Sequence, residues 1–140
     1  MPAFRTRRII EWGECDAAGI VFYPNYFRWM DATFHLLSQE CGFDQNSLAT
    51  EHDLLGTPLI EAKCQFLAPA RFYDPLTIAA RIDGLTRTSL TLLYAFAVDT
   101  VTVAEGREVR AFVAGKPPAL QKADIPAAIR MELERFGDGQ

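Results

Sequence analysis

Asn25-Tyr-Phe-Arg-Trp-Met-Asp-Ala-Thr-Phe-His-Leu-Leu-Ser-Gln-Glu-Cys41 keeps a helical period over its whole length and decides the fold. Pro24 suits the first turn of that helix, where a missing amide hydrogen costs nothing, and Gly42 supplies its C-cap. The polar residues Arg28, Asp31, His35, Ser38 and Gln39 share one narrow stripe, and most of the rest, including Tyr26, Phe27, Trp29, Met30, Phe34 and Leu37, is apolar. A helix with so wide an apolar face has to be wrapped by other structure.

Strand patterns lie on both sides of it. Residues 3–12 alternate, with Phe4, Ile10 and Trp12 on one face and Arg5, Arg7 and Glu11 on the other. After a polar loop over 43–57, residues 58–69 place Ile60, Ala62, Cys64, Phe66 and Ala68 opposite Glu61, Lys63 and Gln65. Residues 76–82 bring Leu76, Ile78, Ala80 and Ile82 to one face, residues 88–99 bring Leu90, Leu92, Tyr94, Phe96 and Val98, and residues 107–114 bring Val109, Ala111 and Val113. Asp83-Gly84 and Ala104-Glu105-Gly106 suit the links of antiparallel hairpins. Residues 126–136 read as a short amphipathic helix with Ile129, Leu133 and Phe136 on its apolar side, closed by Gly137. The class that follows is α+β, a curved antiparallel sheet around one helix. So small a sheet leaves apolar surface over, and oligomerisation is expected.

The whole chain, residues 1–140, reads as one domain: 49% hydrophobic and 23% charged, the balance of a folded soluble protein. A formal net charge of −4 argues against a general nucleic-acid binder. No run reaches the roughly 18 apolar residues of a membrane span. The basic residues near Met1 are followed by no apolar segment of a signal peptide. Cys15, Cys41 and Cys64 are odd in number and widely spaced, which suits reduced thiols and a cytoplasmic location. His35 and His52 lack ligand spacing with the cysteines, so no metal site is expected.

The segment Glu11-Trp-Gly-Glu-Cys-Asp-Ala-Ala-Gly-Ile-Val-Phe-Tyr-Pro-Asn-Tyr26 is the part that carries chemistry. Asp16 lies eight residues before the proline that starts the helix, with Gly19 between. A helix N-terminus offers unpaired amide hydrogens and partial positive charge, which polarise a carbonyl or hold an oxyanion. A carboxylate beside it can attack that carbonyl or activate water against it. The alternative for such an aspartate is an ordinary turn or cap.

The run Asp16-Ala-Ala-Gly-Ile-Val-Phe-Tyr-Pro-Asn-Tyr-Phe-Arg-Trp-Met-Asp31 resembles the signature of the 4-hydroxybenzoyl-CoA thioesterase family of hotdog-fold acyl-CoA thioesterases. Asp16, Gly19 and Tyr23 match the family's acid, glycine and tyrosine in register, and the likeness continues through Gly56-Thr-Pro-Leu-Ile and Tyr73-Asp-Pro-Leu-Thr-Ile. The resemblance implies a hotdog fold, a five-stranded antiparallel sheet wrapped around a long central helix. It also implies a homo-oligomer, a dimer commonly assembled into a tetramer, with active sites at the dimer interface. The implied reaction is hydrolysis of an aromatic acyl-CoA to the free acid and CoA, with no cofactor. Asp16 would be the nucleophile or general base, the Tyr23 backbone amide would polarise the thioester carbonyl, and Gly19 would give the loop room. Arg87, with Ser89 near it, matches the family's contacts to the CoA phosphates and pantetheine. A related branch carries its acid near Asp31, the second-choice carboxylate here; the alternative for Asp31 is a helical pair with Arg28 or His35.

Other readings stay open. A short- or medium-chain aliphatic acyl-CoA is the substrate alternative. A hydratase would need a histidine that the Asp16–Tyr26 segment lacks. A non-catalytic acyl-CoA-binding protein would keep the fold without turnover. His52 beside Glu51 and Asp53 reads as a solvated loop residue, and Cys15 has no base partner for a nucleophilic thiol.

Overall fold

The computed structural model describes residues 2–137. Five strands form one antiparallel sheet: β1 (Phe4–Ile9), β2 (Leu59–Phe66), β3 (Pro75–Leu85), β4 (Ser89–Val98) and β5 (Val101–Ala111), in the order β1-β3-β4-β5-β2. The helices are α1 (Pro24–Glu40), α2 (Gln45–His52) and α3 (Ala127–Glu134). A two-stranded hairpin, β6 (Val113–Lys116) with β7 (Ala119–Lys122), follows β5.

Alternation in β3 and β4 survives as read. Leu76, Ile78, Ala80 and Ile82 are buried on one face, and Leu90, Leu92, Tyr94 and Phe96 beside them. The register sets Ile78 against Phe96 and Ala80 against Tyr94. Onto this face α1 brings Tyr26, Trp29, Met30, Phe34 and Leu37, all in the same core cluster. The fit is close at Gly106 of β5, where an added Cβ would come within 2.2 Å of Met30 Sδ. Glycine there lets the helix approach the sheet. Below α3, Ile129 and Leu133 are buried, and Phe136 meets Phe4 edge to face with centroids 6.0 Å apart.

Several expectations are corrected. Residues 43–57 are not all loop: α2 forms inside them, because Asp44 Oδ1 accepts the Ser47 amide at 2.8 Å and the Ser47 hydroxyl accepts the Asp44 amide at 2.9 Å. Leu48 is its one buried residue, too little apolar surface to show as a period. Asp83-Gly84 and Ala104-Glu105-Gly106 lie within β3 and β5, not between strands. A register shift after Ile82 absorbs the first, and the chain reverses at Thr86–Thr88 and at Asp99–Thr100 instead. Ser38 is buried rather than on the polar stripe, because its hydroxyl donates to the Phe34 carbonyl at 2.9 Å.

The largest correction concerns β5. The sequence sets Val109 inward, yet Glu108 and Arg110 are the buried pair, 1% and 3% exposed, while Val109 is only part-buried. They are admitted because they satisfy one another. Arg110 Nε donates to Glu108 Oε1 at 3.1 Å, and its Nη2 donates to Glu108 Oε2 at 3.2 Å and to Asp31 Oδ1 at 2.9 Å. Arg110 Nη1 donates to the Thr57 carbonyl at 3.1 Å, and the Tyr94 hydroxyl donates to Glu108 Oε1 at 2.7 Å. Burial alone would lower the Arg110 pKa; the bonds and charge of Glu108, with Asp31, outweigh it, and the net direction is upward. The guanidinium also lies 4.1 Å from the Phe34 ring centroid.

Candidate active site

The chain leaves β1 through a 3-10 turn at Trp12–Glu14, makes a loop over 15–23, and enters α1 at Pro24. The loop is pinned at its base. Cys15 and Val21 form an antiparallel bridge, and the Phe22 amide donates to the Glu14 carbonyl at 2.9 Å. Its tip is a tight turn built by Asp16: the Gly19 amide donates to the Asp16 carbonyl at 2.9 Å, and the Ala18 amide to Asp16 Oδ1 at 2.9 Å. Among the described residues nothing donates to the second carboxylate oxygen, and Asp16 is exposed. The same aspartate is therefore both the turn residue and a free acceptor at the surface.

Gly19 has φ +77°, the left-handed region that favours glycine. A Cβ there would sit 3.5 Å from Arg71 Nη2, an ordinary contact, so conformation rather than crowding selects glycine. The next residue, Ile20, bridges to Arg71, which ties the loop to the segment that leads into β3.

At the start of α1 the amides are accounted for one by one. Asn25 donates to the Phe22 carbonyl at 3.0 Å, Tyr26 to the Tyr23 carbonyl at 3.1 Å, and Pro24 has no N–H. Among the described residues the Tyr23 amide has no acceptor. It is the unspent donor at this helix terminus, on the same loop as Asp16. Donor and carboxylate together can polarise a carbonyl and deliver an oxygen to its carbon.

Aromatic side chains surround the loop. Tyr23 lies 6.3 Å and Tyr26 5.5 Å from the Phe66 ring, Phe22 lies 5.4 Å from Tyr23, and Trp12 lies 4.6 Å from Phe72. Trp12, Phe22, Tyr23 and Phe66 remain exposed, apolar surface on and beside the loop that carries Asp16. Burial pushes the Tyr26 phenol up to about 12, so it stays neutral near pH 7. Burial, with the Asp16 and Glu14 carboxylates next, raises the Cys15 thiol, which opposes a nucleophilic thiolate there.

The remaining candidates lie elsewhere. Asp31 is not free: besides Arg110 it meets His35 Nε2 at 3.5 Å, while Arg28 turns to Asn25 Oδ1 at 3.2 Å. Arg87 is exposed and paired with Asp124, and Ser89 Oγ shares a 2.6 Å hydrogen bond with Thr86 Oγ1. Both sit at the far end of β3 from the Asp16 loop, about 35 Å of extended chain away at the usual strand rise. Within one chain, then, Asp16, Gly19 and Tyr23 share one loop, and Arg87 and Ser89 lie outside it.

A model of the thioesterase superfamily matches residues 18–104. The chain is 32% identical over 124 residues to 4-hydroxybenzoyl-CoA thioesterase of Pseudomonas sp. (strain CBS-3), covering 84% of this chain and 88% of that one. A crystal structure of an aspartate-to-asparagine mutant of 4-hydroxybenzoyl-CoA thioesterase, complexed with 4-hydroxybenzoyl-CoA, matches with a TM-score of 0.87 and 28% identity over 95% of this chain and 99% of that chain. A gentisyl-coenzyme A thioesterase structure matches with a TM-score of 0.78 and 34% identity over 92% of this chain and 98% of that chain.

Proposed function

Because the chain belongs to the thioesterase superfamily and is an acyl-CoA thioesterase of the hotdog type, we propose that it hydrolyses an aromatic acyl-CoA of the 4-hydroxybenzoyl kind, using Asp16 and the Tyr23 amide. The observation that carries this is the unspent Tyr23 amide on the same short loop as the free oxygen of Asp16. The amide draws charge onto the thioester oxygen as the carbonyl carbon becomes tetrahedral. Asp16 either attacks that carbon or takes the proton of the attacking water. CoA thiolate is a good leaving group, so no strong general acid and no cofactor is needed. The named substrates of two relatives, 4-hydroxybenzoyl-CoA and gentisyl-CoA, are both thioesters of aromatic acids, and the exposed aromatic side chains suit an aryl group.

The proposal extends to the assembly. Among the described residues β2 pairs only with β5 and is an open edge, and it exposes Leu59, Ile60 and Phe66. Phe66 touches Tyr23 and Tyr26, so a second copy seated on that edge would wall the site. In this reading the sheet wraps α1 as the central helix, two copies join along β2, and Arg87 and Ser89 of one protomer serve CoA phosphates near the Asp16 of the other. A tetramer and a cytoplasmic location complete the reading.

The test is cleavage over a panel of acyl-CoA esters, followed by loss of thioester absorbance. Asp16→Asn should lower kcat by about 10²–10⁴-fold, the range for a positioned carboxylate. Preference for benzoyl-type esters supports the aromatic claim. A flat or aliphatic profile discards it, and activity of Asp16→Asn within about tenfold of wild type discards the role of Asp16.

A further inference from the structure

One carbonyl holds both ends of the catalytic loop. The Glu14 C=O accepts the Phe22 amide at 2.9 Å and Asn25 Nδ2 at 2.8 Å. Asn25 is 7% exposed and stands at the second position of α1. Its Oδ1 accepts from Arg28 Nη1 at 3.2 Å, which fixes which end of the amide faces Glu14. Glu14 is itself anchored: its Oε1 accepts the Glu11 amide at 2.8 Å, and its carboxylate pairs with Arg8. The Arg8 guanidinium in turn lies 4.7 Å from the Trp29 ring of α1.

The choice of residue is informative. The first turn of a helix favours a carboxylate, which answers the positive end of the dipole, yet α1 has no acidic residue there. Asparagine gives up that stabilisation. In exchange it is a donor toward the Glu14 carbonyl and places no negative charge beside the Tyr23 amide. A residue selected for the helix alone would be Asp or Glu.

We propose that Asn25 is a positioning residue: by tying the first turn of α1 to the Glu14 carbonyl, it sets the separation between the Asp16 carboxylate and the Tyr23 amide without touching substrate. This rests on the thioesterase roles given above to Asp16 and Tyr23.

Asn25→Asp keeps the size and the acceptor for Arg28 but, ionised, cannot donate to Glu14. Asn25→Ala removes the donor without adding charge, and serves also should the aspartate variant not fold. Each is measured with the ester that wild type cleaves best, alone and combined with Asp16→Asn. Both single variants should lose about 10- to 100-fold in kcat, the cost of a misplacement near 1 Å, with KM within about threefold. Added to Asp16→Asn, either should cost far less, because the group being positioned is already gone. A kcat within about threefold of wild type overturns the inference, and so does an undiminished loss in the Asp16→Asn background, which marks general disruption. An active wild type, a dead Asp16→Asn and a normal Asn25→Ala remove Asn25 alone. An active Asp16→Asn removes the parent reading and this inference with it.

Discussion

In the proposed mechanism Tyr23 acts through its backbone amide, and its side chain can be separated from that amide. Tyr23→Phe removes only the phenol oxygen and should keep kcat within about threefold of wild type. Tyr23→Pro removes the N–H itself. The Tyr23 φ of −56° is one that a proline ring adopts, so the chain can close there, and kcat should fall by about 10²–10³-fold, as for loss of one oxyanion donor. Steady-state kinetics on the two variants checks this; equal losses would assign the effect to the phenol oxygen and not to the amide. That Asp16, Gly19 and Tyr23 share one loop was legible in the sequence, because that relation is local, a spacing within one short segment. Glu14 and Asn25 were not. They meet through a hydrogen bond that reaches across 11 positions, which no local pattern announces.

Elements show the same division. The pattern of β3 and β4 is dictated by side chains that have one good place to go, so alternation alone orients them. In β5 the phase is inverted, because Glu108 and Arg110 exchange their water for one another, Tyr94, Asp31 and the Thr57 carbonyl. No local pattern announces that, since the partners come from β4, α1 and the loop before β2. The consequence is a large asymmetry between breaking the network and replacing it. Arg110→Met would leave Glu108 charged and nearly fully buried without its partner, and should destabilise the fold by about 3–5 kcal/mol. Replacing Tyr94, Glu108 and Arg110 together by Phe, Leu and Met removes the stranded charge and should recover most of that loss. Urea unfolding of the single and triple variants decides it; a single variant as stable as wild type would show that the network adds nothing net. Asp31 also loses its strongest partner in Arg110→Met, so the stripe of α1 that carries it should loosen first.

At the scale of the molecule the two sheet edges are unlike. β1 exposes Arg5 and Arg7, charges that discourage a further strand, with Ile9 its one exposed large apolar residue, at the strand's end. β2 exposes Ile60 (55%) and Phe66 (50%), and its apolar surface runs through Phe66 into Tyr23 and Phe22 of the loop that carries Asp16. Natural edges are rarely left so apolar unless something covers them. The sequence shows why a partner is expected, a small sheet with apolar surface to spare, but not where one would sit, because a covering chain would contribute nothing to a single-chain pattern. If a second copy sits on β2, oligomerisation and catalysis have to fail together. Ile60→Lys puts a charge at the open edge, away from Asp16 in sequence and outside the loop that carries it. Sedimentation should show this variant shifted toward monomer, with kcat/KM down by about 10-fold or more, the range for losing groups that align a substrate. Raising the protein concentration should restore both together, since association follows mass action. Arg7→Glu on the opposite edge should change neither. A monomeric Ile60→Lys with full activity would separate the site from the assembly, and an unchanged oligomer with full activity would move the interface off β2 altogether.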